Sequence, residues 1–194
     1  MVCGACWRGT VNAIHHAIAR SRRRNAGARM SVGQLPVVER IARELLRRLR
    51  LLLNNSTYNT KVREVVRPSR LESYTPTDRQ IILSTDSIEA VPELMYPGNP
   101  PAVAKRVTFN IHCNLLNDEK CCEPIDYLVH MFAADVEQVI TADDSTWHTF
   151  DENAIDAEFL SHVPHSAGGG FDGVTVPIAI TYRTDENNPY NVRA

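Results

Sequence analysis

The sequence predicts an α+β (mixed α/β) domain with a sheet of about four strands and two main helices on one face. Residues 103–115 alternate apolar and polar side chains, which is the pattern of a strand with one buried face. Residues 35–53 and 124–140 repeat apolar side chains every three or four positions, as amphipathic helices do. The order helix, strand, strand, long loop, long strand, helix, strand fits helices covering one face of a sheet.

The chain length and composition suit one soluble domain with additional arms. The 194 residues suggest a basic arm or extension over 1–30, a single α/β domain over 31–183 and a flexible C-terminal tail over 184–194. No apolar run approaches the roughly 20 residues of a membrane span, and the start lacks the apolar segment of a secretory signal. The five cysteines then favour free thiols in a reducing compartment.

The net charge of −2 conceals a strong asymmetry between the two ends. Residues 1–50 contain eleven arginines and two glutamates, a balance of +9, so the remainder carries −11. This division suggests attraction between copies, or a basic arm for an acidic partner such as nucleic acid. A simply solvated arginine-rich end is the alternative.

The first thirty residues contain Cys3 and Cys6 in a single CxxC. A structural zinc site needs four ligands, so this motif alone is a weak zinc signal. Met30 is an alternative native start, in which case residues 1–29 are an upstream extension. The sequence therefore leaves the role of this region open.

The first predicted helix, residues 35–53, carries a second stripe opposite its apolar side. The stripe consists of Arg40, Arg43, Arg47 and Arg50, with Arg48 beside it. Cations late in a helix are stabilised by its negative C-terminal end, which accounts for some of them without a ligand. A basic face also suits acidic partner loops or phosphates, and we favour protein contact because few aromatic or amide side chains accompany the stripe.

Two short strands, residues 61–67 and 79–84, are predicted next, followed by a long irregular loop over 85–101. The loop holds four prolines and, near its middle, Met95 and Tyr96. Loops this long are usually functional or mobile. In the long strand that follows, the polar side includes Asn110, His112 and Asn114, and we expect His112 to be a surface histidine.

The second helix follows an acidic loop that contains Cys121 and Cys122, near the helix start where a thiol pKa can be lowered. On this helix, Asp126, Asp135 and Glu137 are predicted to face outward. The aromatic run 147–150 suggests a short strand, and residues 168–170, all glycine, a flexible turn. The last predicted strand is 174–183, where Pro177 indicates an edge position or a bulge.

No sequence motif supports catalysis or cofactor binding. The chain lacks a GxSxG, an HExxH, a phosphate-binding loop and a GxGxxG after a strand. The seven histidines are scattered, and His162 and His165 flank Pro164 in an expected surface loop. We therefore expect no catalytic, metal or cofactor site, and a protein that is not an enzyme.

The order of elements resembles the tail terminator and minor tail (tail completion) proteins of long-tailed bacteriophages. The resemblance covers about residues 35–190, and it rests on the stretches 37–41, 65–68, 106–111, 131–140 and 176–185. It implies a virion protein, assembled in the host cytoplasm, whose ring of typically six copies caps the tail tube. The partners it implies are other copies, the tail tube protein and the head–tail connector or neck proteins, with DNA passing through the ring without specific binding. The candidate contact residues are Arg40, Arg43, Arg47, Arg50, Met95, Tyr96, Asn188 and Tyr190.

Three other interpretations remain. Another neck or head-closure protein shares the same architecture class. A nucleic-acid-binding module would use the arginine-rich N-terminal region, and its affinity would fall steeply with salt. An enzyme of unknown type is the third, because catalytic triads are spatial rather than sequential.

Overall fold

The computed structural model describes residues 35–53, 55–69, 75–116, 123–142 and 144–193. The interpretations placed on residues 1–30, Met30, Cys3, Cys6, Cys121 and Cys122 lie outside these residues. A compact unit begins at Pro36. Its helices and strands are α1 (Val37–Leu49), β1 (Glu64–Val66), β2 (Gln80–Ala90), β3 (Ala102–Leu116), α2 (Ile125–Thr141), β4 (Asp156–Phe159), β5 (Val163–Gly168), β6 (Phe171–Asp185) and β7 (Asn188–Val192).

The strands form one seven-stranded sheet in the order β1-β2-β3-β6-β4, with β5 and β7 also paired to β6. Only the β1–β2 pairing is parallel among these strands. The α+β class is confirmed, and the prediction of about four strands is wrong. The missed strands β4, β5 and β7 are short and mostly exposed, so they lack the alternation that identifies a half-buried strand.

Strand β6 organises the sheet. One edge pairs with β3 from Phe171 to Asp185, and the other pairs in turn with β5, β4 and β7. Pro177 lies on this second edge at the break between β5 and β4, where its carbonyl accepts from Leu160 N at 2.9 Å. In an antiparallel pair, the N–H and the C=O of one residue point toward the same neighbouring strand. The Pro177 carbonyl points away from β3, so the N–H that proline lacks would not have bonded to β3. The predicted edge position of Pro177 is therefore wrong, because β6 is central and only its partner changes.

Two segments predicted to be irregular belong to strands. Residues 85–90 extend β2 through a bulge at Asp86, because β3 continues to offer a partner as far as Lys105. The connecting loop is therefore 91–101, and it contains a 3-10 turn at Pro92–Leu94. The C-terminal tail is not a free arm: Thr184 and Asp185 end β6, and β7 folds back onto β6. Backbone pairing holds a tail that has too few apolar side chains to pack alone.

Both helices pack on one face of the sheet around a common apolar core. Its large, fully buried members include Ile41, Leu45, Phe109, Ile111, Phe132, Ile140, Phe150 and Ile178. The alternation predicted for 103–115 is confirmed from Val107 to Leu115, where the odd-numbered side chains lie in this core. Burial on one face leaves the polar side chains of β2, β3 and β6 on the other.

The aromatic run predicted as a short strand is instead a 3-10 helix, Asp144–Thr149, followed by a left-handed turn. Phe150, Asp151 and Glu152 have φ values of 46°, 58° and 60°. The Asn153 amide nitrogen stabilises this turn by donating to the carbonyls of Phe150 at 3.0 Å and Asp151 at 2.9 Å. The buried Phe150 side chain packs the turn against the core. The conformation of residues 147–150 therefore depends on this packing and not on an alternation of apolar and polar side chains.

The prediction that Asp135 faces outward is also wrong. Its side chain is buried, and its carboxylate accepts from Thr60 N at 2.5 Å and from Asn59 Nδ2 at 3.2 Å. These bonds fasten the α1–β1 connection to α2. The carboxylate supplies acceptors that an apolar side chain would not provide for a buried backbone N–H.

Candidate functional site

The arginine stripe predicted on α1 is largely engaged within the molecule. Arg43 Nε donates to Glu39 Oε1 at 3.0 Å, and both nitrogens of the Arg47 fork donate to Glu44 at 2.7 Å. Hydrogen bonds from Arg47 and then Arg48 hold the pKa of Glu44 below its ordinary value, against the opposing effect of burial. Arg50 is exposed in the 3-10 turn after α1. The stripe therefore presents paired guanidinium groups rather than a uniform positive face.

Arg40 connects α1 to the C-terminal hairpin. Its Nη2 donates to the Tyr190 carbonyl at 2.8 Å, and Asn188 Oδ1 accepts from Tyr190 N at 3.1 Å. The structure thus brings together three of the predicted contact residues. Arg40 Nε is buried, and no acceptor among the described residues reaches it.

Met95 and Tyr96 lie at the far end of the β2–β3 hairpin, 37% and 65% exposed. The Arg183 guanidinium lies 5.5 Å from the centre of the Tyr96 ring, and Arg183 Nε donates to the Leu94 carbonyl at 3.0 Å. A cavity of about 310 Å³ opens beside them, with Arg193 on its rim. The loop is therefore held in place while its aromatic side chain faces outward.

The outer edge of β2 has a partner over only part of its length. Within the described residues, β1 pairs with Gln80, Ile81 and Ile82 and with no residue beyond. The strand continues to Ala90, and Ile88 on this part is 51% exposed. We call residues 83–96 the β2 arm.

A chain of polar side chains crosses the sheet face opposite the helices, and the sequence did not predict it. Every consecutive pair lies within hydrogen-bonding distance, 2.6 to 3.4 Å. The chain draws on five strands. In order, its members are Glu64, Gln80, Asn114, His165, Thr175, His112 and Ser84, which we call the sheet-face network.

The carboxylate at one end determines the direction of the first bonds. Glu64 Oε2 accepts from Gln80 Nε2 at 2.6 Å, which leaves Gln80 Oε1 to accept from Asn114 Nδ2 at 3.4 Å. Asn114 Oδ1 is then free to accept, so His165 Nε2, at 3.2 Å, carries a hydrogen. The Asn114 oxygen thus favours the neutral His165 tautomer with its hydrogen on Nε2 and an unprotonated Nδ1, although the Val163 carbonyl is a second acceptor for this imidazole.

The same reasoning continues to the other end. His165 Nδ1 accepts from the Thr175 hydroxyl at 3.2 Å, so Thr175 Oγ1 accepts from His112 Nδ1–H at 3.0 Å. His112 Nε2 then accepts from the Ser84 hydroxyl at 3.1 Å. Each group in the sheet-face network has a partner when both imidazoles are neutral.

Burial favours these neutral imidazoles. Desolvation lowers the pKa of His112 below 6.5, the neighbouring His165 lowers it further, and Asp86 opposes both. Desolvation also lowers the pKa of His165, against the Val163 carbonyl and Asp172. Both residues are half-buried, and His165 lies on β5 rather than in the predicted loop. His162 instead contacts Glu137, its Nε2 lying 2.8 Å from Oε1.

The alternation of β3 contained a partial signal for the network, because it placed His112 and Asn114 on one polar face. Their partner His165 lies on β5, which was not recognised as a strand. Among the described residues, no group of three or more His, Cys, Asp or Glu side chains is arranged to hold a metal ion. Nor does any helix in this part of the chain have the length and apolar character to span a membrane.

No protein-family model matches the sequence, and no curated protein matches it at a significant level.

Proposed function

We propose that the protein is a structural virion subunit, a tail terminator whose copies form a ring that caps a phage tail tube and joins it to the head connector. The β2 arm is the observation that carries this proposal. It combines an outer strand edge without a described partner with the exposed side chains of Ile88, Met95 and Tyr96. Unpaired strand edges and outward aromatic groups are features through which chains associate.

Charge also supports association between copies. The β2 arm is acidic, with exposed side chains at Asp86, Glu89 and Glu93. On α1 and the turn that follows it, Arg43, Arg47 and Arg50 are exposed. A ring requires head-to-tail contacts between two different surfaces, and an acidic arm against a neighbour's basic helix would meet that requirement.

A nucleic-acid-binding module receives less support from the described residues. Arg43 and Arg47 already pair with glutamates, which reduces the charge available to phosphates. The amide and aromatic side chains needed to read bases do not accompany the arginines on α1.

Analytical ultracentrifugation and negative-stain microscopy test ring formation directly. We expect closed rings from the full chain, and folded monomers, identified by an unchanged circular dichroism spectrum, from the double variant Ile88→Lys/Tyr96→Ser. Tyr127→Ser is the matched control, because Tyr127 is half exposed on α2 and outside the β2 arm. This control should still form rings.

The position in the particle tests the tail-terminator role separately. Tail tubes assembled with this protein should carry it at one end only and stop growing there. A full chain that stays monomeric both alone and in the presence of tubes would overturn the proposal. Binding to duplex DNA that declines steeply with salt would favour the nucleic-acid alternative.

A further inference from the structure

Ser84 and His112 form a hydroxyl–imidazole pair at one end of the sheet-face network. Ser84 Oγ lies 3.1 Å from His112 Nε2, and His112 Nδ1 lies 3.0 Å from Thr175 Oγ1. A nucleophile within hydrogen-bonding distance of a base, with that base oriented by a third group, is the arrangement used in covalent catalysis. Ser84 lies on the β2 arm, but the assembly role proposed above uses the backbone edge of that arm and the side chains of Ile88, Met95 and Tyr96, and neither Ser84 nor His112.

We propose that Ser84 is a nucleophile, activated by His112, that accepts acyl groups from neutral carboxylic esters. The direction of the hydrogen bonds carries this inference. Because Glu64 fixes the donors and acceptors along the network, His112 holds its unprotonated Nε2 toward the Ser84 hydroxyl. The base is therefore in the required tautomer before any substrate arrives.

Thr175 is a positioning residue. It contacts His112 rather than the reacting atoms, and its hydroxyl is itself fixed by donation to His165 Nδ1. The His112 imidazole is thus held by the bond from His112 to Thr175 and, behind it, the bond from Thr175 to His165, both between neutral groups. A serine hydrolase has a carboxylate in the position of Thr175. Without that negative charge, imidazolium formation is stabilised less, so we expect slow acyl transfer.

The pair is accessible and its base is neutral near pH 7. Ser84 and His112 are half-buried, while Thr85 and Asp86 beside Ser84 are exposed. Burial holds the pKa of His112 below its ordinary value of 6.5. Among the described residues, the carboxylates that act on the pKa values of the two imidazoles are Asp86 and Asp172, and Glu64 lies at the far end of the network.

The reaction balances with an ester and water as reactants. Ser84 Oγ attacks the ester carbonyl while its proton passes to His112 Nε2. The carbon–oxygen bond to the alcohol breaks, the alcohol takes that proton, and the acyl group stays on Ser84. Water then attacks the acyl carbonyl and gives one proton to His112, which returns it to Ser84 Oγ as the carboxylic acid leaves.

The local charge determines the substrate class. Asp86 lies two positions after Ser84 and is exposed, and Asp172 is the strand partner of Ser166, the residue next to His165. Their carboxylates contribute negative potential at the two imidazoles. An anionic ester would be repelled, so we expect 4-nitrophenyl acetate to react faster than 4-nitrophenyl hemisuccinate.

Labelling of the full chain with a fluorophosphonate probe, followed by peptide mass spectrometry, tests the inference. We expect one modified residue, Ser84, and a labelling rate that falls on acidification only once the pH passes the lowered pKa of His112. His112→Gln should lower the rate at least about 100-fold, the lower end of the effect of a general base. Thr175→Val should lower it about 10-fold, and Thr175→Ser should restore it because the hydroxyl is kept.

Ser87→Ala and Ser166→Ala are the matched controls, since these serines lie on β2 and β5 outside the network. Both variants should label like the original chain, and Ser84→Ala should not label at all. Near-ultraviolet circular dichroism at the labelling temperature identifies any variant that fails to fold. If Ser84→Ala is misfolded, Ser84→Gly replaces it as the variant without the hydroxyl. Absence of labelling on the folded original chain, or labelling that persists in Ser84→Ala, would overturn the proposal.

Discussion

His165 Nε2 lies 3.2 Å from Asn114 Oδ1 although β6 runs between the strands that carry them. The residue of β6 between them is Gly173, whose Cα partners are these same two residues. A Cβ at Gly173 would lie 2.1 Å from the Cys113 carbonyl oxygen and 3.0 Å from His165 Nε2. A glycine at this position is thus what allows the sheet-face network to cross a strand.

Gly173→Ala should therefore lower the free energy of unfolding by about 2 kcal/mol or more, because the backbone must move to admit the methyl group. Urea denaturation measures the loss. Ser166→Ala, two residues before the hairpin glycines, removes one hydroxyl bond at the surface and should change the free energy by less than about 0.5 kcal/mol. If the two variants unfold at the same urea concentration, the close approach does not constrain Gly173.

Stability should fall on acidification because of His112 and His165. Burial lowers both folded-state pKa values below the ordinary 6.5. Between the folded and unfolded pKa values the unfolded chain binds more protons, so the free energy of unfolding decreases as the pH falls in that range. The stabilisation is fully present above pH 6.5 and is lost below it, down to the folded pKa values.

Urea midpoints between pH 7.5 and 5.5 measure this dependence, and carboxylates contribute their own slope at the lower end. The double variant His112→Gln/His165→Gln should unfold more easily at pH 7.5 and show a shallower dependence on pH. His148→Gln, outside the sheet-face network, is the control for the loss of an imidazole at an unrelated position. An equal slope in the double variant would assign the pH dependence to other groups.

Arg48, unlike its neighbours in the stripe, is a core residue. Its guanidinium donates to Glu44 and to the carbonyls of Ile140 and Trp147, each at 2.9 Å, and lies 4.8 Å from the Phe150 ring centre. Arg48→Met should lower the free energy of unfolding by about 3 kcal/mol, because it leaves buried acceptors without donors. Arg48→Lys should recover only part of this, since an ammonium group cannot reproduce the planar fork.

Arg47→Met is the matched comparison, one position earlier on the same helix and bonded to the same Glu44. The Arg47 side chain is 55% exposed against 5% for Arg48. Solvent screens an exposed pair, so we expect a loss below about 1 kcal/mol. Thermal or urea unfolding that ranks Arg47→Met as the more damaging change would contradict the assignment of Arg48 to the core.

Sequence periodicity identified the elements whose burial is strong, and the reasons for its failures are physical. Strand β3 was predicted nearly to its ends because one face is buried along most of its length. Strands β4, β5 and β7 owe their conformation to the edge of β6, which no local pattern reveals. The extension of β2 through Asp86 likewise depends on a partner strand distant in the sequence.

The candidate sites also divide into those that the local sequence predicts and those that depend on contacts between distant segments. Met95 and Tyr96 could be predicted as an outward-facing pair, since a proline-rich connection between strands usually lies on the surface. The sheet-face network could not, because its members come from five strands and meet only once the register is set. Arg48 and Asp135 show a further limit: helical periodicity does not distinguish a buried, hydrogen-bonded charge from a solvated one.

Asp135 offers the sharpest test of a buried charge. One carboxylate oxygen accepts from Thr60 N and the other from Asn59 Nδ2, so both atoms face donors. Asp135→Asn replaces one oxygen with an NH₂ group, which points at the Asn59 Nδ2 donor unless the Asn59 amide turns over, and it also removes a charge-assisted bond to the buried Thr60 N–H. We expect the free energy of unfolding to fall by about 1–3 kcal/mol, the usual range for an unsatisfied buried group.

Hydrogen exchange shows where Asp135→Asn destabilises the structure as well as by how much. Protection of the Thr60 amide should drop in Asp135→Asn, whereas amides in β3 should lose protection only in proportion to global stability. Glu137→Gln, two residues later, alters a partly exposed carboxylate and should change the free energy of unfolding by less than about 0.5 kcal/mol. A Thr60 amide that stays protected in the folded variant would show that the α1–β1 connection is held by other contacts.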